Sequence, residues 1–161
     1  MVNTRNVERR KLRFETIDAL LADLDTIEAA DARGAIATTG NWTVGQILSH
    51  LAAWIEYGYN GFPISKPLLP IRWILRLMLP GMLRSGMRGG VNIPGVKGGT
   101  TGADDVSIEE GLKRYRAALA RLKTEPAKFP SPAFGPMSEE DRTRLQLRHA
   151  ELHLGFISID Q

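Results

Sequence analysis

Residues 43–59, Thr43-Val44-Gly45-Gln46-Ile47-Leu48-Ser49-His50-Leu51-Ala52-Ala53-Trp54-Ile55-Glu56-Tyr57-Gly58-Tyr59, decide the class of fold. Thr43 followed three residues later by Gln46 is a capping box, in which a hydroxyl and a side-chain amide satisfy unpaired N–H groups at a helix start. Behind it, Val44, Leu48, Leu51 and Ile55 recur at helical spacing. A second face carries Gln46, Ile47, His50, Ala53, Trp54 and Tyr57. Asn60-Gly61-Phe62-Pro63 then stops the helix. A helix with two apolar faces belongs inside a helical bundle.

Three further segments read the same way. Ile17, Leu20, Leu21, Leu24 and Ile27 predict a helix from about Thr16 to Ala30, and residues 31–40 read as a loop. Ser107 with Glu110 caps a helix to Lys123, whose face carries Leu112, Tyr115, Leu119 and Leu122. Ser138 with Asp141 caps the last, expected from Glu139 to Ile159. Pro126, Pro130, Pro132 and Pro136 mark an irregular connection before it. No repeat and no convincing strand is evident. The expectation is an all-α, four-helix bundle with one long crossover, forming a single domain over 1–161.

The crossover is the insertion 61–106. Its first half predicts one or two short helices, Ile71–Leu79 and Met82–Met87, split by Pro80-Gly81. Its second half is rich in glycine, without the strand or the Gly-Lys-Ser/Thr of a phosphate loop. It reads as a flexible loop that covers a site. No Asp or Glu occurs between Glu56 and Asp104, while Lys66, Arg72, Arg76, Arg84, Arg88 and Lys97 do. A solvated basic surface is the plain reading, and attraction to an anionic substrate, cofactor or lipid surface the sharper one. The apolar part, Pro67–Met78, is expected to pack as a lid, with docking to a partner or a membrane surface as its rival.

Composition narrows the chemistry. The chain has 161 residues, 43% hydrophobic, a net charge of +3 and no cysteine. Disulfides, thiolate zinc sites, iron–sulfur clusters and a cysteine nucleophile are excluded. The basic start, Met1 to Arg13, lacks the apolar run of a signal peptide, and Arg72 and Arg76 interrupt the only long apolar stretch. A cytoplasmic protein without a membrane span is expected. Nothing resembles a helix-turn-helix or zinc finger, so nucleic acid is not an expected partner.

The chain has three histidines. His149 and His153, four residues apart on a helix, stand within ~40° of each other, which lets two imidazoles reach one ion. Leu145, Leu152 and Phe156 make their face apolar, while Arg148 and Glu151 fall on other faces. His50 lies on a core face too. Taken singly, each is an ordinary hydrogen-bonded core histidine; three inward imidazoles together need a shared partner. His50, His149 and His153 would then hold one divalent ion and leave coordination positions open, as in catalytic sites. Zinc or nickel comes first, with iron as a further option, since imidazole suits several metals. Gln46, Trp54 and Tyr57 are candidate pocket groups, while Glu56 is angled away from His50. No inward carboxylate base is evident.

Three stretches carry a family resemblance: Arg9-Arg10-Lys11-Leu12-Arg13-Phe14, Gly40-Asn41-Trp42-Thr43 through His50-Leu51, and Arg148-His149 through His153-Leu154-Gly155-Phe156. Together they resemble the DinB/YfiT-like superfamily, in a bacterial uncharacterised branch, over most of the chain. The resemblance implies a four-helix bundle, often a dimer, with a divalent metal on one histidine of the second helix and two of the last, at positions matching His50, His149 and His153. It implies a metal-dependent enzyme of either thiol-dependent transferase/isomerase or hydrolase type, acting on a small molecule, with a low-molecular-weight thiol as one option. Two departures stand out. Leu152 occupies a position where the branch often has a further histidine, and the basic insertion is atypical, which puts the substrate class in doubt. The competing reading is a binding or interaction protein with a structural or vestigial metal site. The apolar stripes Leu147/Ala150/Leu154 and Val44/Leu48/Leu51/Ile55 either face neighbouring helices or form a homodimer seam.

Overall fold

The computed structural model describes residues 2–4 and 6–160, with the side chain of Lys97, one of the cations of the basic insertion, outside the described set. Among the described residues there are five α-helices and a two-stranded sheet: α1 (Ile17–Ala32), β1 (Ile36–Thr38), α2 (Val44–Asn60), α3 (Leu69–Ser85), α4 (Ile108–Thr124), α5 (Glu139–Leu154) and β2 (Ile157–Ile159). Each of α1, α2, α4 and α5 starts at a Thr or Ser whose hydroxyl accepts from the N–H three residues on. Only Thr43 with Gln46 forms the reciprocal capping box. The side chains of Glu110 and Asp141 do not return the bond, so the boxes expected at Ser107 and Ser138 are single caps.

One core joins these four helices. Leu20, Leu24 and Ile27 meet Leu48, Leu51, Ile55, Leu119, Leu147 and Leu154, all buried. The stripes Val44/Leu48/Leu51/Ile55 and Leu147/Ala150/Leu154 are therefore spent inside the chain and are not free to form a dimer seam. α2 and α4 approach most closely. A Cβ on Gly45 would lie 1.9 Å from the Val106 carbonyl oxygen, and one on Gly111 would lie 2.9 Å from the Leu48 Cβ. Gly45→Ala gains ~1 kcal/mol of helix propensity, but it drives a methyl into backbone, which overpacks the contact by more than that. The expected net loss is about 2 kcal/mol. An unfolding midpoint equal to or above that of the wild type would show that the α2–α4 contact is looser than drawn.

Three expectations need correction. The loop 31–40 contains β1, and the last helix ends at Leu154, five residues short of Ile159, because Gly155 caps it and the chain turns into β2. The strands pair antiparallel, Ile36 with Ile159 and Thr38 with Ile157. Each has three residues, too few for alternation to be legible. Finally, α3 is one helix running through Pro80, not two. Pro80 removes only its own bond to the Arg76 carbonyl, on an exposed face.

The chain start is held against the end of α5. Arg10 N–H donates to the Gly155 carbonyl at 2.8 Å, and the Arg10 guanidinium pairs with Asp23 at 2.8 Å. A Cβ on Gly155 would lie 2.9 Å from the Glu151 carbonyl oxygen and 3.1 Å from that of Arg10, so a side chain there would push the crossing apart.

Candidate metal centre

α2 and α5 bring the three histidines together. His50 and His149 are buried and His153 is partly exposed. One ring nitrogen from each lies within 4.8 Å of the other two, close enough to hold one metal ion. His50 Nε2 and His149 Nε2 are 3.2 Å apart. Two imidazoles on one tetrahedral zinc, at ~2.0–2.1 Å each, place their nitrogens about 3.4 Å apart. The His50–His149 pair already has that separation, and the widest pair needs to draw in by at most about 1.4 Å. The three rings meet edge to face, with interplanar angles of 71°, 66° and 85°.

The protonation state is set by one backbone oxygen. His50 Nδ1 lies 2.8 Å from the Thr101 carbonyl oxygen. A carbonyl only accepts, so Nδ1 carries the proton and the Nε2 lone pair is turned toward His149. Burial pushes the His50 pKa down to about 4 against the bond to Thr101. Burial, then the neighbouring His50, pushes His153 down to about 3. His149 is lowered well below its ordinary value by burial, then by His153 and His50. All three are thus neutral near pH 7, the state in which imidazole binds metal.

Aromatic rings wall the cluster. Trp42 stacks on His153 with centroids 5.4 Å apart and planes 11° from parallel, and it tilts against His50 at 4.9 Å. Trp54 stands edge-on to His50 and His149, at 6.0 and 5.8 Å. Its Nε1–H is buried without a partner among the described residues. Tyr57 and Phe62 extend this wall. The amide oxygen of Gln46, one turn before His50, accepts from the Thr43 N–H as part of the cap, at 3.0 Å.

The last part of the glycine-rich loop lies against His50 and is fastened there. Tyr57 Oη and Thr101 Oγ1 are 3.3 Å apart, and Ser49 Oγ donates to the Gly102 carbonyl at 3.1 Å. Arg114 bridges Asp104, at 2.9 Å, to Glu56, at 2.7 Å. Gly102 has φ +83°, and a Cβ there would lie 2.6 Å from the Ala53 Cβ, so only glycine lets the loop come this close. Glu56 faces Arg114 and not the histidines, as its helix angle predicts, and no carboxylate belongs to the cluster among the described residues.

Trp42 and Thr101 are the groups that side-chain patterns did not single out as site residues. Trp42 directly precedes the Thr43 cap, where an apolar residue commonly packs back on the first turn, and that position was its available signal. Thr101 acts through its carbonyl, which has no signature in sequence.

The profile of a family described as "Protein of unknown function (DUF1569)" matches residues 6–159, and the chain belongs to that family. Searches among curated proteins and among solved structures return no match.

Proposed function

We propose that this member of the DUF1569 family is a metal-dependent enzyme whose single divalent ion is held by His50, His149 and His153. The convergence of three neutral ring nitrogens within 4.8 Å carries the reading. The arrangement of α1, α2, α4 and α5 around one core, with the ligand positions on α2 and α5, supports a DinB/YfiT-like four-helix bundle with α3 as an insertion. Imidazoles alone leave the ion's full charge in place, favouring zinc or nickel, with iron as a further option.

When bound, such an ion acts as a Lewis acid and lowers the pKa of a water or thiol that reaches it. The chain's own residues do the rest. The Thr101 carbonyl holds the His50 tautomer that ligates. Trp42 fixes the ring of His153, and the aromatic wall limits water around the three nitrogens. Trp54 Nε1–H is the unpartnered donor available to a substrate acceptor. Tyr57, in the aromatic wall, would orient a substrate through an Oη that also meets Thr101 Oγ1, while the Gln46 side chain is spent on the Thr43 cap. With no carboxylate in the cluster to remove a proton, a low-molecular-weight thiol suits the site better than hydrolysis, because a thiol needs less help to ionise.

Metal analysis tests the site. Untagged protein never exposed to a nickel column is expected to carry about one divalent ion per chain, and the His149→Ala/His153→Ala variant none. Protein that holds no metal and takes up neither zinc nor nickel would remove the enzyme reading. The cluster would then be three mutually packed core imidazoles in a binding or interaction protein.

A further inference from the structure

α3 was expected to cover the helices beneath it with its apolar residues, and it does the opposite. Leu79 is its one buried residue. Leu69, Trp73, Ile74, Leu77 and Met78 are 68%, 73%, 58%, 76% and 54% exposed. At 100° per residue they form one outward face, with Leu69, Trp73 and Leu77 stacked at successive turns. A contiguous apolar face of this kind is an interaction surface.

The charge carried by the helix itself is of one sign. No Asp or Glu occurs between Glu56 and Asp104, while Arg72, Arg76 and Arg84 lie on α3 itself. Beside the helix runs a cleft of ~420 Å³ lined by Leu69, Trp73 and Leu77 on one side and Phe134 and Pro136 on the other, with Arg72 and Arg76 in its wall. Arg76 donates only to the carbonyls of Phe134 and Pro136, which leave its charge uncompensated. The Arg72 guanidinium has no partner among the described residues, and its Nε is buried. Burying part of an unpaired guanidinium is unfavourable unless an anion completes it.

We propose that α3 is an interfacial helix that lays the protein on an anionic lipid surface, with lipid phosphate at Arg72 and Arg76. The outward face offers apolar bulk, with Arg72 and Arg76 along one edge and Arg84 beyond it in the last turn, the division of labour of a helix lying in the plane of a bilayer. Its 17 residues run about 25 Å along that plane. No helix among the described residues is long and apolar enough to cross the membrane. A second copy fits less well. A twofold contact through α3 sets the same cationic flank against itself, with no carboxylate in the segment to relieve it.

Vesicle co-sedimentation of the full chain tests this, using phosphatidylcholine vesicles and vesicles in which phosphatidylglycerol replaces a third of the lipid. Pelleting is expected at least about tenfold more strongly with the anionic vesicles, and to weaken with salt. Leu77→Glu and Trp73→Glu are expected to abolish it, and Arg72→Gln to weaken it about fivefold. Leu77 and Trp73 are exposed and Arg72 is only partly buried, so unchanged helical circular dichroism checks that each variant folds. The His149→Ala/His153→Ala variant is expected to pellet like the wild type, which keeps this test separate from that of the metal site. Absence of pelleting on either vesicle overturns the proposal, as does equal pelleting on both that ignores Arg72. A dimer that Leu77→Glu dissociates, without anionic-vesicle binding, overturns it in favour of a second copy.

Discussion

Arg148→Met is expected to destabilise the protein by about 3–5 kcal/mol, the usual consequence of removing one partner from a buried ion pair. Arg148 is 1% exposed, the least accessible cation in the core. Its Nη1 donates to Glu151 Oε1 and its Nη2 to the Phe14 carbonyl, both at 2.7 Å. Glu151 Oε1 in turn accepts from the Phe14 N–H at 2.7 Å. The pair thus satisfies both backbone groups of Phe14 and fixes the start of the chain against α5. Methionine keeps much of the stem's volume, so the loss reports charge and hydrogen bonds more than a cavity. It leaves the Glu151 carboxylate buried without its cation. The double variant Arg148→Met/Glu151→Leu removes that stranded charge and is expected to recover part of the loss. Recovery is incomplete, because the Phe14 N–H and C=O then lack partners at ~1–3 kcal/mol each. Urea unfolding of the single and double variants gives the comparison. Strictly additive losses would show that the two side chains act independently and that the clamp is not a unit.

That clamp also shows where reading the chain stops short. The histidine cluster was legible, because a four-residue spacing fixes the angle between His149 and His153, and a capping box fixes the phase of His50 on α2. The same angles put Arg148 and Glu151 on other faces than the histidines, without saying what those faces meet. The angles hold, but the face is covered by Phe14, more than a hundred residues distant in sequence, and periodicity along one helix carries no information about what lies across from it. The error over α3 has the same root. Its apolar spacing was visible, yet spacing says that a face is apolar and not that something covers it. Pro80 and Gly81 read as a break because they are poor helix formers, while the solvated position of Pro80 makes its missing bond tolerable. The short strands and the Thr101 carbonyl escaped for a different reason: three residues cannot display a period, and a backbone oxygen has no side chain to mark it.

Metal-free protein is expected to lose stability steeply on mild acidification, by about 4 kcal/mol between pH ~7.5 and pH ~5.5. The three clustered imidazoles are all the histidines of the chain. In the folded state His50 is lowered to about 4 and His153 to about 3, and His149 is lowered well below its ordinary value, with burial the first cause for each. Unfolded, each titrates near ~6.5. Above that value neither state is protonated, and stability does not depend on these groups. Below it, the unfolded chain takes up protons that the folded cluster refuses, so the unfolded state gains until the pH reaches the folded values. Each histidine contributes ~1.4 kcal/mol by pH ~5.5, and the folded cluster is still neutral there. Carboxylates titrate mostly lower, so the window from pH ~6.5 to ~5 isolates the imidazoles. Urea unfolding of chelator-treated protein across this window measures the slope, and a His50→Gln/His149→Gln/His153→Gln variant provides the flat reference if it folds. Metal should add a second pH dependence of the same sign, because protons compete for the ligating nitrogens and acid releases the ion. A slope in metal-free protein smaller than one proton would mean that the three rings are wetter than their burial implies. The proposed metal centre would then rest on the convergence of the three rings and not on their burial.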